Sequence, residues 1–299
     1  MRVRELGSTG LVGTPLGLGT AALGRPGYLN LGHGRDLGAD RSVAAMERHA
    51  HAMLDAAYAA GIRHVDAARS YGHAEEFVAS WLDARGLASG DLLVSSKWGY
   101  TYTGGWRADA QVHEVKDHSL PALRRQAAES RVILGDRLKL YQIHSATLDT
   151  GVLQDRAILT ELSRLAGDGM VIGLSVSGPR QGDTIRRALE VEVDGERLFR
   201  SVQATWNLLE PSAGPALAEA HDAGWAVIIK EAVANGRLTA QDEEGPSLAT
   251  VRTLLRQSAA GHGVGVDALA IAAALAQPWA DVVLSGAVIT PHLAGNLAA

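Results

Sequence analysis

Four polar residues that are far apart in the sequence carry side chains suited to proton transfer at a carbonyl oxygen: Asp66, Tyr71, Lys97 and His144. Asp66 stands among small apolar residues in the stretch HVDAARSYG (64–72), where an isolated ionised carboxylate is costly to bury, so we expect a cationic partner. Lys97 is the natural partner because it ends the neighbouring predicted strand. A lysine beside a tyrosine stabilises the phenolate and lowers the tyrosine pKa. Tyr71 could then donate a proton at neutral pH while His144 orients the same oxygen.

Short apolar runs that alternate with helix-like segments predict the elements that position these residues. The runs are LGLGTAAL (16–23), IRHVDAA (62–68), LLVSSKWG (92–99), LKLYQIH (138–144), MVIGLSVS (170–177), SVQATWNLL (201–209), WAVIIKEAV (225–233) and DVVLSGAV (281–288). Runs that are apolar throughout are typical of parallel strands covered on both faces. Eight such units predict an α/β fold, a (β/α)8 TIM barrel, formed by residues 1–299 as a single domain.

Two further elements and two long connections are predicted around this barrel. The stretch VRELGSTGLVG (3–13) predicts a β-hairpin ahead of the first barrel strand, and PSLATVRTLLRQSAAG (246–261) predicts an extra helix between strands seven and eight. Residues 24–41 and 98–118 form connections longer than usual, which in compact domains are functional or disordered.

Polar residues collect at the C-terminal ends of the predicted strands, where the active site of such a barrel lies. Besides Asp66, Lys97 and His144, these residues are Ser175, Gln203, Asn207 and Lys230. Barrel closure would bring them together. None of them is a hydride source, so a reduction at this site would require a cofactor.

The connection after the third predicted strand is rich in aromatic side chains. The stretch WGYTYTGGWRAD holds Trp98, Tyr100, Tyr102 and Trp106, four of the fourteen aromatics in the chain (6 Trp, 6 Tyr and 2 Phe). We interpret it as a wall of the substrate pocket, with Trp98 and Trp106 as substrate contacts. The alternative is a loop that packs on its own side chains.

Composition excludes several classes of function. The net charge of -5 indicates no basic face for nucleic acid, and the absence of cysteine excludes disulfides and thiolate metal sites. His49 and His51 lie at a helical spacing that does not share a face, so no metal pair is expected. The N-terminus has no apolar h-region and no run reaches the ~20 apolar residues of a membrane span. These features predict a cytoplasmic protein with no membrane partner.

Several segments together resemble one enzyme family. They are RELGSTGLVGTPLGLGT, GIRHVDAARSYGHAEE, SSKWG, LKLYQIHS, GMVIGLSVSG, VQATWNLLEP, NGRLT and LSGAVITPHLAGNLAA. In this order the chain resembles the aldo-keto reductases over nearly its whole length. The resemblance implies a (β/α)8 barrel that binds NADP(H), less often NAD(H), without a Rossmann domain, and that reduces small aldehydes and ketones. It places the catalytic aspartate, tyrosine, lysine and histidine of the family at Asp66, Tyr71, Lys97 and His144.

The same resemblance implies the positions that bind the cofactor. Ser175 and Gln203 fall where the nicotinamide carboxamide is held, with Val176 in place of the usual asparagine. Lys230 takes the position of an aromatic ring that stacks on the nicotinamide in many members. The remaining implied cofactor contacts are Gly19, Thr20, Asp66, Glu231, Gly286, Ala287, His292 and Asn296.

The 2′-phosphate positions depart from the family pattern. Many NADP-preferring members have a lysine and an arginine there, where this chain has Gly286 and His292, with Asn296 retained for the adenine. A neutral histidine is a poorer phosphate partner than a guanidinium. We therefore expect a weak preference for NADP(H), with NAD(H) possible, that grows as the pH falls. Arg180 or Arg237 could instead supply the missing charge from another loop.

Two other functions are compatible with these residues. Strand-end lysines in barrels can form imines with carbonyl compounds, so Lys97 and Lys230 allow a Schiff-base lyase. A nucleotide-sensing subunit without catalytic activity is the third hypothesis. The complete set of four catalytic side chains favours the carbonyl reductase.

Overall fold

The strands of the protein form one closed barrel and three two-stranded sheets in the computed structural model, which describes residues 1–27, 36–240 and 249–299. The strands are β1 (Arg4–Glu5), β2 (Val12–Gly13), β3 (Leu16–Gly19), β4 (His64–Asp66), β5 (Leu93–Trp98), β6 (Tyr100–Tyr102), β7 (Glu114–Lys116), β8 (Leu138–Ala146), β9 (Val171–Val176), β10 (Glu192–Val193), β11 (Glu196–Arg197), β12 (Ser201–Thr205), β13 (Ala226–Lys230) and β14 (Val282–Ser285).

Eight of these strands are parallel and close into the barrel in the order β3, β4, β5, β8, β9, β12, β13 and β14. Each barrel strand pairs with the next one along the chain, and β14 pairs with β3 to complete the ring. Such an order follows from units in which a helix returns the chain to the start of the next parallel strand. The predicted (β/α)8 barrel is confirmed.

Helices follow the strands around the barrel. They are α1 (Val43–Ala59), α2 (Ala74–Arg85), α3 (Leu120–Leu134), α4 (Arg156–Gly167), α5 (Gln181–Leu189), α6 (Gly214–Asp222), α7 (Ala249–Gly261), α8 (Val266–Leu275) and α9 (Thr290–Asn296). The sequence of α4 shows why it forms. Asp155 caps its first turn by accepting from two backbone N–H groups, and Ile158, Leu162 and Leu165 recur on its buried face.

The N-terminal hairpin β1–β2 covers the end of the barrel opposite the predicted active site. Leu6 and Leu11 of this hairpin segment pack with residues from the beginnings of barrel strands, including Leu93 of β5 and Val282 of β14. The hairpin predicted from residues 3–13 is therefore present, and it leaves the C-terminal ends of the strands open.

The connections are more ordered than the sequence suggests. Residues 98–118, predicted as a loop, contain the antiparallel sheet of β6 and β7. The predicted extra helix is present as α7, although residues 246–248 lie outside the described residues. The connection at 24–41 is described except for residues 28–35.

Within the described ranges, no single helix has both the length and the apolar composition needed to cross a membrane. One bent pair, Thr250–Gly261 and Val266–Leu275 at 84° to each other, meets the test by length and composition when the two are taken together.

Candidate active site

The predicted ion pair between Asp66 and Lys97 is present at the C-terminal ends of two neighbouring strands. The Lys97 Nζ contacts Asp66 Oδ2 and also donates to the backbone oxygen of Ala67 at 2.9 Å. Both side chains are almost completely buried, with exposed fractions of 0% for Lys97 and 3% for Asp66. Burial lowers the pKa of Lys97 below its usual value, and the facing carboxylate opposes that effect.

The second oxygen of Asp66 accepts from three further side chains. Ser95 Oγ donates at 2.8 Å, Gln203 Nε2 at 3.1 Å and Gln142 Nε2 at 3.4 Å. His64 Nε2 lies 2.9 Å from Ser95 Oγ and extends this network. These donors and the lysine cation compensate the free-energy cost of burying the Asp66 carboxylate.

Sequence reasoning missed three members of this network: His64, Ser95 and Gln142. The alternation of side chains between the two faces of a strand could have predicted them. Each stands two residues before a predicted catalytic residue, and residues i and i+2 of a strand face the same side.

Tyr71 and His144 face each other beside this network. The Tyr71 Oη lies 3.5 Å from His144 Nε2, and the two rings meet edge to face with centroids 5.4 Å apart. The Lys97 Nζ lies 5.1 Å from the centroid of the Tyr71 ring. The structure thus brings the four predicted catalytic side chains together at one place.

The pKa of Tyr71 is shifted in the direction opposite to the one expected from its neighbour Lys97. Burial raises the pKa of the Tyr71 phenol well above its usual value, and the charge of Asp66 adds to this effect. Because Lys97 is already paired with Asp66, its positive charge does not outweigh the loss of water around the phenol. Tyr71 is therefore a protonated phenol, able to donate its hydrogen.

Burial also lowers the pKa of His144 well below its usual value, and the positive charges of Lys97 and Lys230 add to the shift. His144 is therefore neutral, with one ring nitrogen that donates and one that accepts. Its Nδ1 lies 3.4 Å from Ser70 Oγ, while its backbone oxygen lies 2.8 Å from His118 Nε2.

An irregularity in β8 sets the position of His144. Ile143 pairs with Leu174 of β9, but the next pair joins Ala146 to Val176, so β8 has one residue more than β9 between the two pairs. Ser145 takes up the difference with a φ of 54°, and its N–H donates to Ser175 Oγ at 2.8 Å. Bulges of this kind redirect a side chain next to an active site.

A cavity of about 460 Å³ opens beside Tyr71 and His144 and is within the range of cofactor sites. Ten of the eleven positions predicted to contact a cofactor line it: Gly19, Asp66, Ser175, Gln203, Lys230, Glu231, Gly286, Ala287, His292 and Asn296. Thr20 does not line it, because its N–H and hydroxyl both donate to the backbone oxygen of Asp66 at 2.9 Å. Apart from Thr20, the residues present therefore fit a nicotinamide dinucleotide.

Lys230 is tied to its neighbours at the end of β13. Its Nζ donates to Thr205 Oγ1 at 2.8 Å and lies 3.2 Å from Glu231 Oε1, and the Thr205 hydroxyl donates to the other oxygen of Glu231 at 2.9 Å. Glu231 has a φ of 59°, a conformation that is uncommon for a non-glycine residue. The chain from Lys230 to Val233 lines the cavity on both sides of this residue.

The two predicted substrate contacts lie away from the cavity. Trp98 has an exposed fraction of 0% and belongs to the hydrophobic core, and as the neighbour of Lys97 on β5 its side chain takes the opposite face of the strand. Trp106 packs on His73 and Phe77, and its Nε1 donates to the backbone oxygen of Arg41 at 2.8 Å. Neither side chain lines the cavity.

Arg25 and Glu114, which sequence reasoning missed, line the cavity near Tyr71 instead. The Arg25 Nη1 lies 2.9 Å from Glu114 Oε2 and donates to the backbone oxygen of Ser70 at 3.2 Å. Arg25 lies in the connection 24–41 and Glu114 in the connection 98–118. No other feature of the sequence marks these two residues.

The two arginines considered for a 2′-phosphate also lie elsewhere. Arg180 pairs with Asp149 at 2.6 Å, and the guanidinium of Arg237 donates to the backbone oxygen of Ala234 at 3.5 Å. Neither lines the cavity.

Comparison with known proteins shows the family of the chain. The sequence profile of the aldo/keto reductase family matches residues 15–299. The chain belongs to the aldo-keto reductase family. As a member, it is an oxidoreductase of a family that generally uses nicotinamide cofactors and acts on small carbonyl substrates. No curated protein matches the sequence significantly.

Solved aldo-keto reductase structures share the fold. The aldo-keto reductase AKR11C1 from Bacillus halodurans, in its holo form, is 22% identical with a TM-score of 0.75, over 99% of this chain and 90% of the other. The glycerol dehydrogenase AKR11B4 from Gluconobacter oxydans is 21% identical with a TM-score of 0.71, over 99% of this chain and 89% of the other.

Proposed function

We propose that this protein reduces an aldehyde or ketone to an alcohol with a nicotinamide dinucleotide, and that Tyr71 is the general acid. The observation that carries the proposal is the pair formed by the Tyr71 phenol and the neutral His144 ring, 3.5 Å apart at the wall of one cavity. Both groups can hydrogen-bond the same carbonyl oxygen. Donors directed at an oxygen that gains negative charge stabilise the transition state.

Each catalytic side chain has a separate part in this reaction. A dinucleotide held by the residues that line the cavity would supply the hydride for the carbonyl carbon. Tyr71 gives its proton to the carbonyl oxygen, which completes the alcohol and leaves a phenolate. Lys97 stabilises that phenolate through its positive charge, and Asp66 holds Lys97 in position. His144 orients the oxygen toward the phenol.

The residues that would hold the dinucleotide line the cavity from the catalytic side chains to α9. Ser175 and Gln203 lie at the catalytic end, beside His144 and Asp66, and would hold the nicotinamide. Gly286, His292 and Asn296 line the other part of the wall. The resemblance alone favours NADP(H), but the choice between NADPH and NADH depends on the charges at this far end.

A Schiff-base lyase is less compatible with the two lysines. Lys97 is fully buried against Asp66 and does not line the cavity, and Lys230 is paired with Glu231. An imine requires an amine that can reach the substrate carbonyl.

The experiment is a fluorescence titration with NADH and NADPH, followed by rate measurements on a panel of aldehydes and ketones. We expect at least one dinucleotide to bind and at least one carbonyl compound to be reduced, with alcohol formed in proportion to dinucleotide oxidised. Tight binding without turnover on the whole panel would favour a nucleotide-sensing protein. Absence of binding of both dinucleotides would refute the proposal.

A further inference from the structure

The cavity has a catalytic end and a far end with different charges. Tyr71 and His144 mark the catalytic end, so the ring that carries the hydride must lie there. The adenosine half of the same dinucleotide must then extend to the far end. The described residues that line the far end include Asp36, Asp267, Ser285, Gly286, His292 and Asn296, which lie on or beside α9.

Asp267 is held firmly at this end, in the first turn of α8. A Cβ atom at Gly265 would come within 2.4 Å of its Oδ1, and one at Gly295 within 2.6 Å of its Oδ2, so the two glycines make room for the carboxylate. With the Asn296 amide oriented so that its oxygen accepts from Ser285 Oγ at 2.8 Å, its nitrogen donates to Asp267 Oδ2 at 3.1 Å.

Asp36 brings a second carboxylate to the same place. Its Oδ2 lies 3.9 Å from His292 Nδ1, and its side chain is 13% exposed. His292 and Asn296 are four residues apart on α9 and therefore lie on one face of this helix. Asp36 and Asp267 thus contact the same face of α9. Asp36 contacts His292, and Asp267 contacts Asn296.

The lysine and arginine side chains among the described lining residues are at the other end. They are Arg25, which is 2.9 Å from Glu114, and Lys230, which is 3.2 Å from Glu231. The described part of the far end therefore presents two carboxylates and no lysine or arginine. A phosphomonoester would bring further negative charge to this place, whereas a ribose hydroxyl would donate a charge-assisted hydrogen bond to a carboxylate.

We propose that Asp36 and Asp267 make this protein selective for NAD(H), by accepting a hydrogen bond from the adenosine ribose 2′-hydroxyl and repelling the 2′-phosphate of NADP(H). In Rossmann-type dinucleotide sites, which have a different fold, a carboxylate accepts a hydrogen bond from the same hydroxyl. The inference rests on the proposed function, because it assumes that the cavity binds a dinucleotide. It replaces the weak NADP(H) preference expected from the sequence.

The test compares dissociation constants of NADH and NADPH by fluorescence or calorimetric titration of the full chain. We expect NADH to bind at least about tenfold more tightly than NADPH, which is the order of effect of one charge-assisted hydrogen bond. Asp267→Asn keeps the size of the side chain and removes its charge. It should move the ratio of the two dissociation constants toward NADPH by about tenfold or more.

Two further variants make the result specific. Asp36→Asn should shift the ratio in the same direction, and it tests the inference independently if Asp267→Asn folds poorly. Asp222→Asn is the matched control, because Asp222 is 84% exposed on α6, away from the cavity, and the change removes the same charge. It should leave the ratio unchanged.

Tighter binding of NADPH than NADH by the unmodified protein would overturn the inference but leave the proposed function intact. A ratio that neither Asp36→Asn nor Asp267→Asn changes, or that Asp222→Asn changes equally, would also overturn it. Absence of binding of both dinucleotides would overturn the proposed function, and the inference with it.

Discussion

At the scale of single residues, Asp66 is the centre of the site. Its carboxylate pairs with Lys97 of β5. It also accepts hydrogen bonds from Ser95 of β5, Gln142 of β8 and Gln203 of β12. Removing one partner from such a group leaves a buried charge or donor without compensation, which costs more than the interaction itself contributes. The stability of the fold and the proposed catalysis therefore depend on the same few atoms.

Replacement of the proposed acid tests its role directly. Tyr71→Phe removes the hydroxyl and keeps the ring, so turnover should fall about 10²-fold or more, while the dissociation constant of the dinucleotide changes little. Tyr58→Phe is the matched control, because the Tyr58 ring packs on Trp81 and Arg63 and does not line the cavity. Near-normal turnover of Tyr71→Phe on a good substrate would remove Tyr71 from the mechanism.

The ion pair makes a prediction about stability. Lys97→Met leaves the buried Asp66 without its cation and should lower the free energy of unfolding by about 3–5 kcal/mol, measured by urea denaturation. The double variant Asp66→Asn, Lys97→Met removes both charges and should recover part of this loss without recovering turnover. Equal stability of the single and double variants would show that the two charges are not coupled.

At the scale of elements, the connection from β5 to α3 is predicted to be a wall of the substrate pocket because it is rich in aromatic side chains. Its two tryptophans instead pack within the fold. Trp98, the last residue of β5, packs into the core, and β6 and β7 form a small sheet beyond it. Tyr100 in β6 contacts His144 edge to face, with centroids 5.0 Å apart. The segment thus contacts the ring of His144 through Tyr100, and Trp98 and Trp106 pack within the fold.

Trp98→Ala should therefore destabilise the protein without changing substrate selection. We expect a loss of about 3–5 kcal/mol in the free energy of unfolding, as for other fully buried aromatics. The KM values for small and bulky carbonyl compounds should change by the same factor. Trp106→Ala, at a half-buried position, should cost less. A selective rise in KM for bulky substrates in Trp98→Ala would restore the substrate-wall interpretation.

At the scale of the whole molecule, barrel closure buries His64, and the connection before α3 partly buries His118 against Gly99. Burial lowers the pKa of His64 to about 4 and that of His118 to about 4. A histidine with its pKa lowered in the folded state takes up protons first in the unfolded state. Its stabilising effect is thus fully present above the unfolded pKa of ~6.5 and is lost as the pH falls toward 4.

We therefore expect the free energy of unfolding to fall between about pH 6.5 and 4, by at most ~1.4 kcal/mol per pH unit for each such histidine. His64→Gln should flatten this dependence, and His221→Gln, at a side chain that is 38% exposed, is the control. The raised pKa of Glu75, caused by burial, acts in the opposite direction, so the comparison of variants is more informative than the total slope. Equal slopes for the two variants would contradict the prediction.

The sequence alone determined the barrel, the N-terminal hairpin and the extra helix. Apolar runs such as 225–233 report local geometry, which depends only on residues close in the chain. It also placed Asp66 and Lys97 correctly, because the ends of adjacent parallel strands must meet.

The tertiary structure alone decided the burial of Trp98, the bulge that turns His144, the raised pKa of Tyr71 and the approach of Asp267 to the far end of the cavity. Each of these depends on contacts between residues distant in the chain. The alternation along β5 turns Trp98 away from the side that Lys97 faces, but the burial of its ring depends on side chains that are distant in the sequence. A pKa depends on the water and charge that all surrounding elements remove or supply together.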